Sequence, residues 1–385
     1  MEQTDDLVEK ASLFNGEPQY ENFCSVQTQN TMSEMAPAWH PYDFPTGQSI
    51  HLPTSYEFGG SKRNLHALLG ATHTSALLVL HRGEVRYEKY WLTGGRDIQW
   101  ISMSVAKSFV SALVGIAVSE GFINSVNDPI SDYVPMLKGS AYDGVSIKNV
   151  LQMSSGARWN EDYSDPESEI FRLSEATGPG GSFDVFMATM PRETEPGTRC
   201  MYNSADTQAL GMLVAEATGK SLTAYMQEKL YTPLGMESTG YWVTDSCGRE
   251  MAYAGLLMTA RDFAKLGELY RNQGMWAGQA LVPSDYVEQS VRADAPHLQS
   301  GGPVVGDHPL GPGYGYQWWL PAGDLGDYSA IGVYNQYVYV NPADETTIVK
   351  LSANPAYGTT SREEENKDVE NIAALRSISQ VCRAM

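Results

Sequence analysis

The stretch SVAKSFVSALVGIAVSEG, residues 104–121, is apolar almost all round and stops at Gly121. Without a polar stripe, a helix here has no face to offer water, so the sequence predicts a buried helix ended by its glycine. Ser104 and Lys107 stand three apart at its mouth, on one helical face, where a hydroxyl and an ammonium can meet. A lysine turned toward an apolar interior loses solvation, which lowers its pKa and frees the amine to act as a base.

Upstream, SALLVL (75–80) meets Arg82-Gly83 and continues as EVRYEKYWL, which reads as two strands around a short turn. Far downstream, YSAIGVYNQYVYVNP (328–342) and TTIVKLSAN (346–354) are again β-rich, and a polar helix follows to the end. Between them, from about 125 to 250, helical periods are broken by loops such as ATGPGGS (176–182) and PGT (196–198). Strands at both ends with helices between predict an α/β (α+β) fold, in which one antiparallel sheet built from both termini is flanked by helices and carries an inserted, mostly helical lobe. The expected division is an N-terminal extension over 1–60, a sheet domain over 61–135 and 250–385, and the helical lobe over 136–249. The extension is rich in Pro, Asn, Gln and Ser and is expected to drape over the body. Glu363-Glu364-Glu365 is expected to be a solvated helix start.

Composition removes several classes of function. The chain has 385 residues, with Lys+Arg 26 against Asp+Glu 46 and a formal charge of −20. Such a surface repels phosphate backbones and anionic lipids, so no nucleic-acid or membrane partner is expected. Cys24, Cys200, Cys247 and Cys382 stand far apart and form neither a disulfide framework nor a CxxC pair. The acidic start MEQTDDLVEK is unlike a signal peptide, and Phe109–Val118 is much shorter than the roughly 20 residues that span a bilayer. A cytoplasmic location is expected.

A second element is PGTRCMYNSADTQALGMLVAEATGK, where Tyr202 follows a turn and opens a helix with Leu210, Met212, Leu213 and Val214 inward. A phenol held near a lysine can be drawn toward phenolate and relay protons. Other constellations fall short. No G-x-S-x-G elbow occurs, the seven histidines lie before residue 82 or after 296, and none has metal-ligand spacing. The acidic group Glu161, Asp162, Asp165, Glu167 and Glu169 lacks the glycine of a calcium loop and reads as a solvated loop beside the site entrance. Gly311-Pro312-Gly313-Tyr314-Gly315 has Pro and aromatics where a dinucleotide-binding helix would start.

Together these segments resemble the serine β-lactamase and penicillin-binding-protein superfamily, in its branch of class C-like esterases and 6-aminohexanoate-dimer hydrolases. The resemblance covers about residues 70 to 360. SVAKS is similar to the nucleophile motif, and GFINSVNDPISDYVPML, VSIKNVLQMSSG, PGTRCMYNSADTQALG, TGKSLTAYMQEKLYTPLGM, AGLLMTARDFAKLG and GYGYQWW follow in the family's order. It implies a β-lactamase/transpeptidase-like fold with the site in a cleft, Ser104 as acyl-accepting nucleophile, and Lys107 and Tyr202 sharing general acid/base duty. Which of the two takes the first proton stays open. The backbone N–H groups of Ser104 and Val333 are the implied oxyanion donors. Tyr163, Ser204, Tyr253, Tyr334 and Asn335 are the implied substrate-binding positions, Tyr163 matching a loop tyrosine that closes on substrate in the dimer hydrolases.

Departures from the family shape the substrate expectation. Its penicillin-recognising members carry K-T-G or H-T-G before the oxyanion strand, whereas no Lys, Arg or His occurs between Gly326 and Val349. Tyr202-Asn203-Ser204 follows the Y-x-S form of the dimer hydrolases, but Tyr253 and Asn335 are bulkier than the residues those enzymes use. Hydrolysis of a small ester or amide through an acyl-serine is therefore expected, with acyl transfer, weak β-lactamase action and a silent binding protein as alternatives. No metal or organic cofactor is implied, and a monomer or homodimer is expected.

Overall fold

A computed structural model describes residues 19–305, 308–309 and 311–384. The start of the extension, residues 1–18, lies outside the described residues. SALLVL forms the centre of strand β1, Thr74–His81, buried throughout, and the turn Arg82-Gly83 returns the chain as β2, Glu84–Tyr90. Both turn residues have positive φ, 55° and 75°, the backbone that a tight hairpin's right-handed twist demands.

The rest of the sheet comes from the far end of the chain: β3 (Gly313–Tyr314), β4 (Trp319–Leu320), β5 (Tyr328–Gly332), β6 (Gln336–Asn341) and β7 (Thr346–Ser352). Their order is β3-β4-β5-β6-β7-β1-β2, antiparallel throughout, so β1 pairs with β7 and the two termini share one sheet, as expected. Ala76, Leu78, Leu80, Val338 and Val349 join the large central core on one face, while Leu77, Val79, Tyr337, Tyr339 and Ile348 pack on the other against the C-terminal helix. A strand buried on both faces needs a continuous apolar run, which is why these strands do not alternate.

Four helices position the site: α1 (Ala106–Ser119), α2 (Ser204–Thr218), α3 (Ala260–Arg271) and α4 (Asp368–Arg383). The predicted buried helix is α1, with every residue from Ala106 to Ala117 buried. Helix α3 lies against the sheet so closely that a Cβ at Gly267 would sit 2.5 Å from Thr347 Cγ2. Helix α4 covers the opposite face through Ile372, Leu375 and Ile378.

The extension is woven in as well as draped. Met32–Met35 is the edge strand of a second antiparallel sheet with Gly240–Val243, Leu256–Met258 and Trp100–Ile101. Phe23 is buried edge-on to Trp100 and Tyr334, which secures the segment by an aromatic anchor. The Glu363–Asn366 turn is helical as expected, but Glu363 is half-buried, accepting a hydrogen bond from the Glu370 N–H at 2.8 Å. All four cysteines are free thiols, and among the described residues no helix is long and apolar enough to cross a membrane.

Candidate active site

Ser104 occupies a 3-10 turn, Met103–Val105, that feeds directly into α1. Met103, one residue earlier, has a φ of 46°, a left-handed backbone that costs a non-glycine residue on the order of 1 kcal/mol or more. That strain turns Ser104 out of the helix axis toward the end of β5. There Gly332 approaches so closely that a Cβ would lie 2.8 Å from Ser102 O and 3.0 Å from Ser104 N. Only glycine permits this contact, and it brings the Ser104 backbone beside the Gly332–Val333 segment, where two N–H donors can face one oxygen.

Lys107 is buried one turn into α1. Its Nζ donates to Ser104 Oγ at 2.9 Å, Ser204 Oγ at 3.0 Å and the Tyr253 carbonyl at 3.0 Å. Burial lowers its pKa to about 8, against the opposing pull of Glu161. Tyr202, which lines the same cleft as Ser104, is held well above the usual phenol range by burial and by the Glu161 carboxylate. The phenol is therefore kept protonated, contrary to the expected drift toward phenolate. Its ring stacks on Trp319 at 5.0 Å and 26°. The helix it was expected to open begins two residues later, with Asn203 capping the Ala205 N–H at 2.8 Å.

Glu161 overturns the reading of its acidic neighbourhood as solvated. Asp165 and Glu167 are bound into surface turns, but Glu161 is buried and accepts four hydrogen bonds. Ser204 Oγ and the Tyr163 hydroxyl donate to Oε1, both at 2.8 Å. The Ser204 N–H at 2.8 Å and Trp159 Nε1 at 2.7 Å donate to Oε2. The backbone donor sits at the first residue of α2, where the helix dipole also favours an anion. A relay Ser104–Lys107–Ser204–Glu161 results, with a charge-balancing carboxylate one hydroxyl away from the lysine.

The candidate substrate-binding residues separate accordingly. Tyr163 lines the cleft at its Glu161 side. Ser204 is fully buried between Lys107 and Glu161, where it supports the lysine, and it borders the small chamber beside Ser104. Tyr253 is buried beneath the site, its hydroxyl bonded to that of Ser174 at 3.1 Å. Tyr334 packs on Phe23 and Tyr357 and borders only a small chamber beside Ser104. Asn335 is turned away altogether: its Nδ2 donates to Asn366 O at 2.7 Å and its Oδ1 accepts from Asn354 at 2.9 Å. Its φ of 70° explains the residue choice, since asparagine tolerates the left-handed turn between β5 and β6. The expected crowding of the cleft by Asn335 is therefore absent.

Sequence reasoning missed Glu161, Trp159 and Trp319. Nothing in the spacing of Glu161 separates it from four other acids within nine residues; a tryptophan two positions before it was the available hint.

Comparison with known proteins agrees with this architecture. Residues 62–374 match the family model described as Beta-lactamase. The chain is 31% identical over 300 residues to a 6-aminohexanoate-dimer hydrolase of Paenarthrobacter ureafaciens, 76% of each chain being covered. Among solved structures it is similar to a Bacillus anthracis protein bearing the provisional name 6-aminohexanoate-dimer hydrolase, with a TM-score of 0.83, 23% identity and 96% of each chain covered. A family VIII carboxylesterase superimposes with a TM-score of 0.61 at 14% identity, over 82% of this chain and 96% of the other.

Proposed function

Because this chain belongs to the β-lactamase family, a fold of serine hydrolases, we propose that it hydrolyses a small neutral ester or linear amide through an acyl-serine at Ser104. The observation that carries this reading is the buried Lys107 Nζ, 2.9 Å from Ser104 Oγ with its pKa lowered to about 8. A base poised near neutrality and touching the hydroxyl it must deprotonate meets the geometric and thermodynamic demands of general-base catalysis together. Lys107 takes the first proton, because Tyr202 is held protonated.

The Ser104 oxygen attacks the carbonyl carbon, and its proton passes to Lys107. The negative oxygen of the tetrahedral intermediate is held by the Ser104 and Val333 N–H groups. The intermediate collapses by breaking the bond to the alcohol or amine, which leaves with a proton delivered from Lys107 through the Tyr202 hydroxyl. Water then attacks the acyl-serine, loses a proton to the same pair, and releases the acid and a free Ser104. Glu161, through Ser204, steadies Lys107 whenever it is charged.

The cation-free stretch from Gly326 to Val349 supports a neutral substrate over one gripped by its carboxylate. A fluorophosphonate probe together with a panel of short esters, linear amides and a chromogenic cephalosporin tests the proposal. Labelling at Ser104 with ester or amide turnover is expected; no labelling and no turnover would refute it. An alcohol or amine can empty the same acyl-enzyme, so acceptor-dependent turnover would mark a transferase.

A further inference from the structure

Two cavities of very different size meet at Ser104. One is a chamber of about 40 Å³ bordered by Met103, Phe171, Tyr253 and Tyr334. A water-sized occupant needs roughly 10–15 Å³ in this measure, so the chamber holds two or three heavy atoms beyond the carbonyl. The other is a groove of about 1080 Å³ that leaves Ser104 past Tyr202 and Trp319 and continues along α4.

The groove is long because a helix face forms its wall. Asp368, Ile372, Ala373, Arg376 and Gln380 all line it, recurring at helical spacing over three turns. At 1.5 Å per residue these positions span about 18 Å. Phe58, from the hairpin Ser55–Phe58/Ser61–Asn64, and Leu325, 39% exposed, supply further apolar surface. Arg376 offers the groove little free charge, since Asp327 holds it by two hydrogen bonds at 2.7 and 2.8 Å.

The chemistry decides which half of the substrate enters which cavity. The departing group must collect a proton, and Tyr202, the residue proposed to deliver it, borders the groove and not the chamber. The leaving side of the scissile bond therefore faces the groove. We propose that the acyl group is of acetyl to propionyl size, seated in the small chamber, and that the leaving group is a long, predominantly apolar alcohol or amine laid along α4. This rests on Ser104 being the nucleophile.

Octyl acetate and ethyl octanoate share one molecular formula and differ only in which side of the ester is long, so they test the assignment directly. The kcat/KM for octyl acetate is expected to exceed that for ethyl octanoate at least tenfold. Ala373→Trp, which fills the groove at its middle, should lower the ratio of kcat/KM for octyl acetate to that for methyl acetate, whose leaving group does not reach so far, at least tenfold. Ser377→Trp, one turn further on and half-buried, gives the same comparison if the first variant does not fold. Equal or better use of ethyl octanoate, or equal losses on both esters in a folded variant, would overturn the proposal. Absence of turnover on every ester, p-nitrophenyl acetate included, would instead overturn the hydrolase reading beneath it.

Discussion

Lys107 and Lys350 are both 1% exposed, and burial lowers the pKa of each, yet their surroundings could hardly differ more. Lys107 touches Ser104 at a cleft floor and has the Glu161 carboxylate one hydroxyl away. Lys350 sits in β7, bonded to Thr72 Oγ1 at 3.1 Å and Ser352 Oγ at 2.5 Å, above the Tyr337 ring. Burial alone lowers its pKa, with no opposing pull like that of Glu161 on Lys107. Desolvation thus favours the neutral amine in either place; a nucleophile in reach, an acid to balance the charged state and access to the cleft make one of them a candidate base.

The comparison breaks first at the nucleophile. Ser104→Ala should cost on the order of 10⁴-fold or more in turnover, because groups acting as a unit fail together. It should also abolish labelling by a fluorophosphonate, with the melting temperature little changed. Labelling that persists or moves to another serine would remove Ser104 from its role. Next, Lys107→Arg keeps the charge but cannot release a proton near neutrality, and steric crowding aside it should be nearly inactive, about 10³-fold down. Lys350→Arg gives no matching catalytic prediction, since no substrate reaches it.

Glu161 sharpens the contrast through pH. In the unmodified protein kcat/KM should rise with pH along a limb near the Lys107 value of about 8, since a lysine acting as the proposed base must be neutral. The Glu161 carboxylate raises that pKa, so Glu161→Gln should move the limb to lower pH while reducing the plateau about 10- to 100-fold as Lys107 loses its counter-charge. A limb that stays in place, or moves up, would show that Glu161 does not act on the lysine. A neutral short-chain ester should also outperform nitrocefin by at least about tenfold, on the cost of roughly 1.5–3 kcal/mol for one missing charge-assisted hydrogen bond. Comparable kcat/KM for the two would mean that a cation from another segment reaches the substrate.

How far the sequence carried depended on whether a signal was local. The hairpin at Arg82-Gly83, the buried helix after Ser104 and the β-rich terminus each declare themselves within a dozen residues, and the sheet they build follows from pairing its two ends. The contact of Lys107 with Ser104 was legible for the same reason, the two standing three residues apart where the buried helix begins. Glu161 was not, because its burial depends on Trp159, Tyr163 and the start of α2 closing over it from separate segments. Asn335 misled in the opposite sense. A polar side chain beside the oxyanion strand reads as a pocket residue, but its left-handed backbone and its bonds to Asn354 and Asn366 commit it to a turn.

The smallest effect belongs to Lys350, which the proposed reaction does not use. With its partners confined to hydroxyls, Lys350 is neutral in the folded chain over part of the range where the unfolded chain, with an ordinary lysine pKa near 10.4, still carries the charge. Unfolding in that window takes up a proton, so stability rises with pH, by up to about 1.4 kcal/mol per pH unit for one proton. Lys107 adds a slope of the same sign between about 8 and its unfolded value, so the measurement must be a difference. Lys350→Met keeps the length of the side chain and removes the ionisable group. Its urea midpoint should therefore vary less steeply with pH between 7 and 9 than that of the unmodified protein, with its advantage greatest at the acid end. Turnover of p-nitrophenyl acetate should stay within about twofold, since Lys350 touches no residue of the Ser104 relay. Parallel pH profiles for the two proteins would mean that Lys350 keeps its proton in the folded state, and the likeness between the two buried lysines would end there.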